Sequence, residues 1–149
     1  MKDGNYPVYS ANVREPFGAL DYSVMDSFET PSILWGIDGD WMTNYMPSHI
    51  PFMPTDHCGV LRTADPRINI KYLERVLNKE GLRAKFSRAY RASIDRIKGL
   101  TVNLPSIEVQ NKAISEVEEY EQTILKAQQV MASCAARKRA VLDKYLNKN

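Results

Sequence analysis

The segment from Arg83 to Arg91 places cationic and aromatic side chains next to one another, a pattern that suits contact with DNA. Its lysine and arginines can neutralise phosphates, while its aromatic rings can stack on bases or lie beside their edges. The planar fork of arginine also fits guanine in the major groove, so Arg88 and Arg91 can select a sequence as well as anchor the chain. On these residues alone, a basic surface loop without a nucleic-acid partner remains the alternative.

The distribution of charge along the chain adds to this interpretation. The net charge of +2 comes from three unequal parts: residues 1–70 carry −5, residues 71–98 carry +6 and the remainder carries +1. A basic block inside an otherwise nearly balanced chain is typical of a surface that meets a polyanion. A solvated helix face would also account for the block, and charge alone does not decide between the two.

No arrangement of residues predicts an enzyme, since the sequence has no phosphate-binding glycine loop, no His-Glu-x-x-His motif and no zinc-binding cysteine pair. His57 and Cys58 are adjacent, but neighbours in a strand point to opposite faces, which favours a buried structural thiol over a nucleophile. His49 and His57 lie on proline-broken backbone and predict no metal site. Asp38 and Asp40 are explained by a turn. We therefore expect no catalytic residue, no metal and no cofactor.

Length and cysteine content indicate one soluble domain with an arm. A chain of 149 residues can bury one core. Its two cysteines lack metal-ligand spacing, and the sequence shows neither a signal peptide nor a long apolar run. We therefore expect a cytoplasmic protein without a membrane span.

Short strands between turn signals predict a small, mixed, irregular sheet before the basic block. Residues 6–10 form a strand that Pro7 confines to an edge or to the strand's start. Residues 32–37 are the best buried strand, and Asp38-Gly39 after them predicts a sharp reversal. Residues 12–18 read as an irregular surface loop, and residues 50–53 and 59–62 as further short extended segments.

Helical spacing follows from Ile70, with Asn69 as the cap, and predicts a helix to about Lys79 that Gly81 ends. Residues 82–93 are then expected to form a cationic loop held against the sheet. Residues 101–104 alternate in polarity and predict a last strand before Pro105. The predicted class is α+β.

The longest predicted element is one helix from about Pro105 to Asn149, because residues 106–149 contain neither proline nor glycine. Ser106 is a plausible N-cap, with Glu108 in the first turn. Apolar residues recur at alternating steps of four and three, typical of a coiled coil. This series comprises Ala113, Val117, Tyr120, Ile124, Ala127, Met131, Cys134, Val141 and Tyr145.

Lys138 falls in the same series, where a lysine either sets the register or marks the point at which the helices separate. An ordinary amphipathic helix lying on its own domain is the alternative to a coiled coil. If the coiled-coil prediction is right, the partner interface is formed by the large apolar members. These are Val117, Tyr120, Ile124, Met131, Val141 and Tyr145.

Three segments carry a resemblance to a known family: residues 4–10 near the start, residues 87–94 in the basic block and residues 102–110 before the helix. The last is the most specific, because a Leu-Pro pair is followed by Glu108 and Gln110 at the head of a long helix. Together they resemble the DNA-specificity subunit of Type I restriction-modification systems. The resemblance implies a target-recognition domain over residues 1–104 and a dimerisation or spacer helix over residues 105–149.

The resemblance implies that each such domain reads one half of a split double-stranded DNA target. It also implies that the helix pairs with another helix to set the distance between two recognition domains. The subunit is non-catalytic and positions adenine methyltransferase subunits and, in the full complex, a restriction subunit. The partner helix would come from a second specificity domain or a second copy. Members usually carry two domains and two helices, and their domains generally begin well before the strand that lies here at residues 6–10. The resemblance therefore implies a chain truncated at the front: a fragment, a dimerising half-subunit or part of a fused methyltransferase.

We assign the DNA face to residues from two loops. They are Tyr9, Ser10, Asn12, Arg14, Arg83, Lys85, Arg88, Tyr90 and Arg91. An interaction adaptor that uses the helix and directs its cations at acidic proteins is the second hypothesis. An enzyme that uses His57 and Cys58 is the third.

Overall fold

The computed structural model describes residues 4–146, which fold into six strands and three helices. The strands are β1 (Tyr6–Tyr9), β2 (Gly18–Leu20), β3 (Ser32–Gly36), β4 (Thr43–Met46), β5 (Met53–Pro54) and β6 (Cys58–Leu61). The helices are α1 (Ile70–Arg83), α2 (Ile94–Lys98) and α3 (Ile107–Leu146). This arrangement confirms the α+β class with a long final helix. The ends of the predicted recognition domain and helix, residues 1–3 and 147–149, lie outside the described residues.

Contacts divide the chain into one unit that ends at Asn111 and a second that starts at Lys112. The first unit contains two three-stranded sheets, with strand orders β2-β1-β5 and β4-β3-β6. The β1–β5 pair is parallel, whereas the other pairs are antiparallel, so the strand pairing is mixed as predicted. β5 pairs only with Val8 and Tyr9, so Pro7 lies at the end of β1 that has one neighbour.

Strand β3 forms the centre of the first unit, because it pairs on both sides and all five of its residues are buried. Successive side chains on a strand point to opposite faces. Ile33 and Trp35 therefore pack with α1 in one hydrophobic cluster, while Leu34 packs with Val13 and Phe52 in another. One strand thus organises two cores.

The predicted reversal after β3 is present, since β3 and β4 form an antiparallel hairpin. Gly59 on the neighbouring strand β6 is required there. A Cβ at this position would overlap the Trp35 ring, so glycine lets the indole lie flat across the sheet.

Helix α1 begins as predicted, with the Asn69 side chain accepting hydrogen bonds from the amides of Lys71 and Tyr72. The prediction that Gly81 ends it is wrong, since α1 continues to Arg83. A Cβ at Gly81 would overlap the Trp41 ring, whose Nε1 donates to the Asn78 carbonyl at 2.9 Å. The packing of the indole offsets the roughly 1 kcal/mol that glycine costs inside a helix.

The prediction of a strand over residues 101–104 is wrong, and residues 94–98 form a helix that was not predicted. Residues 101–104 pair with no strand in the described part of the chain, and their alternation reflects Val102 and Leu104 packing against the cluster around β3 and α1. Residues 94–98, for which no element was predicted, form α2, whose Ile97 is buried. Ser93 before it, Asp95 in its first turn and Gly99 after it were the signals for this helix.

Helix α3 starts with the expected chemistry. The Gln110 amide donates to the Ser106 carbonyl at 3.1 Å, and a hydrogen bond from Ser106 lowers the pKa of the Glu108 carboxyl in the first turn. Among residues 4–146, no helix combines the length and the apolar character that a membrane span requires.

Candidate nucleic-acid interface

Both loops assigned to the DNA face contact the turn between β3 and β4. We call residues 10–17 the first loop, residues 84–93 the basic loop and residues 37–42 the hairpin turn. Gly36, next to the hairpin turn, lies so close to the first loop that a Cβ there would overlap the Ala11 carbonyl. On the other loop, the Ala92 amide donates to the Ile37 carbonyl at 2.8 Å. The fold therefore gathers two loops that are about 75 residues apart in sequence around one turn.

The backbone of the basic loop is held by buried contacts. Trp35 Nε1 donates to the Ala92 carbonyl at 2.9 Å, which ties the loop to the central strand. The amide of Ser87 donates to the carbonyl of Tyr90, and the amide of Tyr90 to the carbonyl of Ser87, at 3.0 and 3.1 Å. Phe86 is buried and stacks on Tyr90 with ring centroids 5.7 Å apart. A loop fixed in this way can present side chains in a defined geometry.

The predicted cations of this region differ in position. Arg83 belongs to α1 and pairs with Glu80, with its Nη1 at 3.1 Å from each carboxylate oxygen, so placing it in a loop was wrong. Lys85 follows the helix in the left-handed region, with φ of 59°, and is exposed. Arg88 and Arg91 are also exposed and lie on the basic loop.

Both loop arginines pair with carboxylates of the hairpin turn. Arg88 donates from Nε and Nη2 to the two carboxylate oxygens of Asp40, at 3.3 and 3.5 Å. Arg91 donates from Nη2 to Asp38 Oδ2 at 3.3 Å, and His57 Nδ1 lies 2.6 Å from the same oxygen. Attributing both aspartates to the turn alone was therefore incomplete, because each also accepts hydrogen bonds from a guanidinium group.

Arg96 is a member of this surface that the sequence assignment missed. Its guanidinium carbon lies 3.9 Å from the centroid of the Tyr90 ring, and its Nη1 donates to the Arg91 carbonyl at 2.8 Å. A cation over an exposed ring gains about 0.5–1 kcal/mol. The helical placement of Arg96 one turn after the loop could have been found only if α2 had been predicted.

The first loop presents fewer free polar groups than its sequence indicated. Tyr9, which was assigned to this loop, is instead the last residue of β1; it is half-buried beside Phe52, and burial raises the pKa of its phenol. Ser10 accepts a hydrogen bond from Thr55 Oγ1 at 3.1 Å. Asn12 Oδ1 accepts from the amide of Arg14 at 3.0 Å, which shapes the loop and leaves the Arg14 side chain exposed.

The other residues weighed for chemistry are Cys58, His49 and His57. Burial raises the pKa of the Cys58 thiol to about 12, which leaves almost no thiolate at neutral pH. His49 and His57 are both exposed, and residues 4–146 contain no group of three potential ligands that could hold a metal ion.

Helix α3 carries the second predicted surface. Its six assigned interface residues are all exposed, from 39% for Val117 to 73% for Met131. Further apolar side chains that were not assigned widen this stripe. They are Leu125, Val130, Leu142 and Leu146, between 46% and 73% exposed.

Comparisons with known proteins agree with the fold. A family model described as the Type I restriction modification DNA specificity domain matches residues 1–131. The solved structures include the crystal structure of the Type-I restriction-modification system S subunit from M. genitalium, which is 17% identical with a TM-score of 0.58. That alignment covers 97% of this chain and 39% of the other, so the chain spans well under half the length of that subunit. A search of curated proteins finds no match.

Proposed function

Because the chain belongs to the family of Type I restriction modification DNA specificity domains, we propose that it recognises one half of a two-part DNA target. The family resemblance inferred from the sequence is thus confirmed. For this chain we further propose a non-catalytic role and a two-part target.

One observation carries the assignment of the DNA face: the fold brings the first loop and the basic loop to one turn. Arg14, Lys85, Arg88 and Arg91 are all exposed on these two loops. Exposed cations of this kind can bind phosphates and place arginine forks at base edges. Ser10 and Asn12 serve mainly to shape the first loop, and Tyr9 packs beside Phe52 at the end of β1, whereas Tyr90 offers an exposed ring.

The long helix is the proposed assembly element. We assign recognition to residues 1–104 and spacing or dimerisation to residues 105–149. Exposed apolar side chains along α3 are costly in water, so a partner helix from a second specificity domain or a second copy would cover them. Methyl transfer and cleavage would come from an adenine methyltransferase subunit and a restriction subunit bound to the complex.

Selection from a randomised duplex library tests the recognition proposal. The full chain, alone and with its methyltransferase partner, should enrich one short sequence. Arg88→Ala and Arg91→Ala should each cost about 1–3 kcal/mol at one base position. Lys79→Ala is the matched control, because Lys79 is exposed in the same basic block but lies on α1. Unchanged enrichment in both arginine variants would refute the basic-loop face.

Solution mass tests the helix proposal. Ile124 and Met131 are seven residues apart in the predicted interface, and their double change to glutamate should reduce the mass of a self-paired chain to that of the monomer. Gln122 and Gln129 have the same spacing on polar positions, so their double change to glutamate is the control. A monomer before and after both changes would refute pairing between copies.

A protein-interaction adaptor remains the second candidate, favoured by the exposed apolar stripe on α3. It needs no base preference. Enrichment of no sequence from the library, together with a helix-dependent protein complex, would support it over a DNA reader.

A further inference from the structure

The paired carboxylates of the hairpin turn suggest a role beyond stability. Asp40 is 75% exposed and its partner Arg88 is 77% exposed. Exposed ion pairs of this kind contribute little to folding, because water screens both charges. The loop is also held independently, by the Ala92 amide on Ile37 and the Trp35 indole on the Ala92 carbonyl. The Asp40–Arg88 ion pair is therefore not needed to hold the loop in place.

The atoms used in each pair leave part of each guanidinium group available. Arg88 binds Asp40 through Nε and Nη2, the side edge of its fork. The donors of Nη1, together with the second hydrogen of Nη2, form the end edge, which fits the two acceptors O6 and N7 of guanine. Arg91 binds Asp38 through Nη2 alone. Each carboxylate can thus hold an arginine while the arginine binds a base.

The stronger anchor is Asp38. Its side chain is 22% exposed, and Oδ2 lies within hydrogen-bond distance of both His57 and Arg91. Its other oxygen is buried without a hydrogen-bond partner among residues 4–146. A carboxylate positioned by the hairpin turn and by His57 can therefore fix the direction of Arg91, which would otherwise be a freely rotating surface cation.

We propose that Asp38 and Asp40 are specificity-determining positioning residues that hold Arg91 and Arg88 toward guanine bases and away from phosphates. The proposal rests on the proposed function. A carboxylate beside each arginine repels the phosphate backbone, so it penalises contacts that any DNA sequence offers. It also restricts the rotamers of the arginine, so less freedom is lost when the fork meets a base. Both effects raise discrimination rather than total affinity.

The test is Asp40→Asn in the full chain, measured by library selection and by binding to the enriched duplex and a scrambled duplex. We expect binding to the scrambled duplex to tighten, and the ratio between the two duplexes to fall at least 5-fold. Preference should weaken at guanine positions in particular. Asp38→Asn should act in the same direction. Asp21→Asn, which removes the same charge from a residue that pairs with neither arginine, should leave the ratio unchanged.

Arg88→Ala and the double variant Arg88→Ala/Asp40→Asn separate this inference from the proposed function. If Asp40 acts through Arg88, the double variant should discriminate no worse than Arg88→Ala alone. An unchanged ratio in Asp40→Asn, with discrimination lost in Arg88→Ala, would overturn the positioning role and leave the basic-loop face intact. Unchanged discrimination in both arginine variants would overturn the basic-loop face and this inference with it.

Discussion

The unit that ends at Asn111 and the helix segment that follows differ in the exposure of their apolar side chains. In the first, Ile33, Leu34 and Phe52 are at most 1% exposed, because two sheets and α1 enclose them. In the second, Tyr120 and Met131 are more than 70% exposed. The first unit therefore obtains its stability from its own chain, whereas the helix segment has apolar surface for another molecule to cover.

This difference separates the two proposed roles. The buried core of the first unit fixes the loops that would meet DNA. The exposed apolar stripe on α3 is available to bind another helix. Substitutions that disturb folding should therefore cluster in the first unit, and substitutions that disturb assembly should cluster on α3.

The largest difference in folding stability is expected between two substitutions of an aromatic residue by alanine. Trp35→Ala removes a ring that is 3% exposed and the donor to the Ala92 carbonyl, so it should lower the free energy of unfolding by about 3–5 kcal/mol. Tyr120→Ala, at a side chain 72% exposed, should change the stability of the monomer by less than about 0.5 kcal/mol. Urea unfolding measures both changes. Equal losses of unfolding free energy would contradict the difference between the buried first unit and the exposed helix.

The two cysteines report on the same contrast. Cys58 is buried with a thiol pKa raised to about 12, whereas Cys134 is exposed on α3. At pH 8 an alkylating reagent should modify Cys134 at least ~100-fold faster, because the thiolate is the reactive form. Mass spectrometry of peptides measures the two rates.

Comparing the alkylation rates in the monomer and in the assembled complex would test the helix interface directly. Protection of Cys134 in the complex but not in the isolated monomer would place a partner on the predicted helix interface. Rapid modification of Cys58 in the folded chain would contradict its buried position. If Cys58→Ala leaves every measured behaviour of the chain unchanged, the enzyme hypothesis based on His57 and Cys58 is removed.

A buried polar contact at the head of α3 gives a smaller effect. Gln110 is fully buried, accepts from the Asn69 amide at 2.9 Å and donates to the carbonyls of Arg67 and Pro105 at 3.0 and 2.8 Å. Gln110→Ala leaves these groups without a partner and should cost about 1–3 kcal/mol of stability. Gln122→Ala, at an exposed glutamine on the same helix, is the control. An equal, negligible effect of both would contradict the anchoring role.

The smallest expected effect depends on pH. Hydrogen bonds from Arg67 lower the pKa of Asp65 from 3.8 to about 2. A pKa lowered in the folded state stabilises above the unfolded-state value, and the contribution disappears as the pH falls through the folded-state value. Asp65→Asn should therefore weaken folding slightly at pH 7, and this effect should disappear as the pH falls below about 2, as measured by urea unfolding. An effect of the same size at pH 7 and below pH 2 would exclude this origin.

Local patterns predicted much of the fold. The Asn69 cap and the reversal at Asp38-Gly39 are signals contained in a few neighbouring residues, and the absence of proline and glycine from residues 106–149 is visible along one continuous segment. The structure contains the cap, the reversal and the long helix α3. The failures depend on distant partners. Gly81 predicts the end of a helix when the sequence is considered alone, but in the structure the Trp41 ring packs on it. Residues 101–104 alternate in polarity because they pack against a core, not because they pair with a second strand.

The candidate site shows the same limit. Sequence identified the arginines of the basic loop, because charge and aromatic residues are visible in one segment. It could not show that Asp38 and Asp40 face them, since about 50 residues separate the partners and only the β3–β4 hairpin brings them together. Likewise, the hydrogen bonds that occupy Ser10 and Asn12 appear only once the first loop is folded.

The central claim is that the loops around the hairpin turn read DNA, and the salt dependence of binding tests it most directly. Binding of the full chain, with its helix partner present, is measured on the enriched and scrambled duplexes between about 50 and 200 mM salt. We expect affinity for both duplexes to fall steeply with salt while the preference persists. Lys85→Ala, which removes an exposed cation that we propose binds a phosphate, should reduce the log–log slope by about 1. Affinity that is independent of salt and equal for both duplexes would contradict the claim.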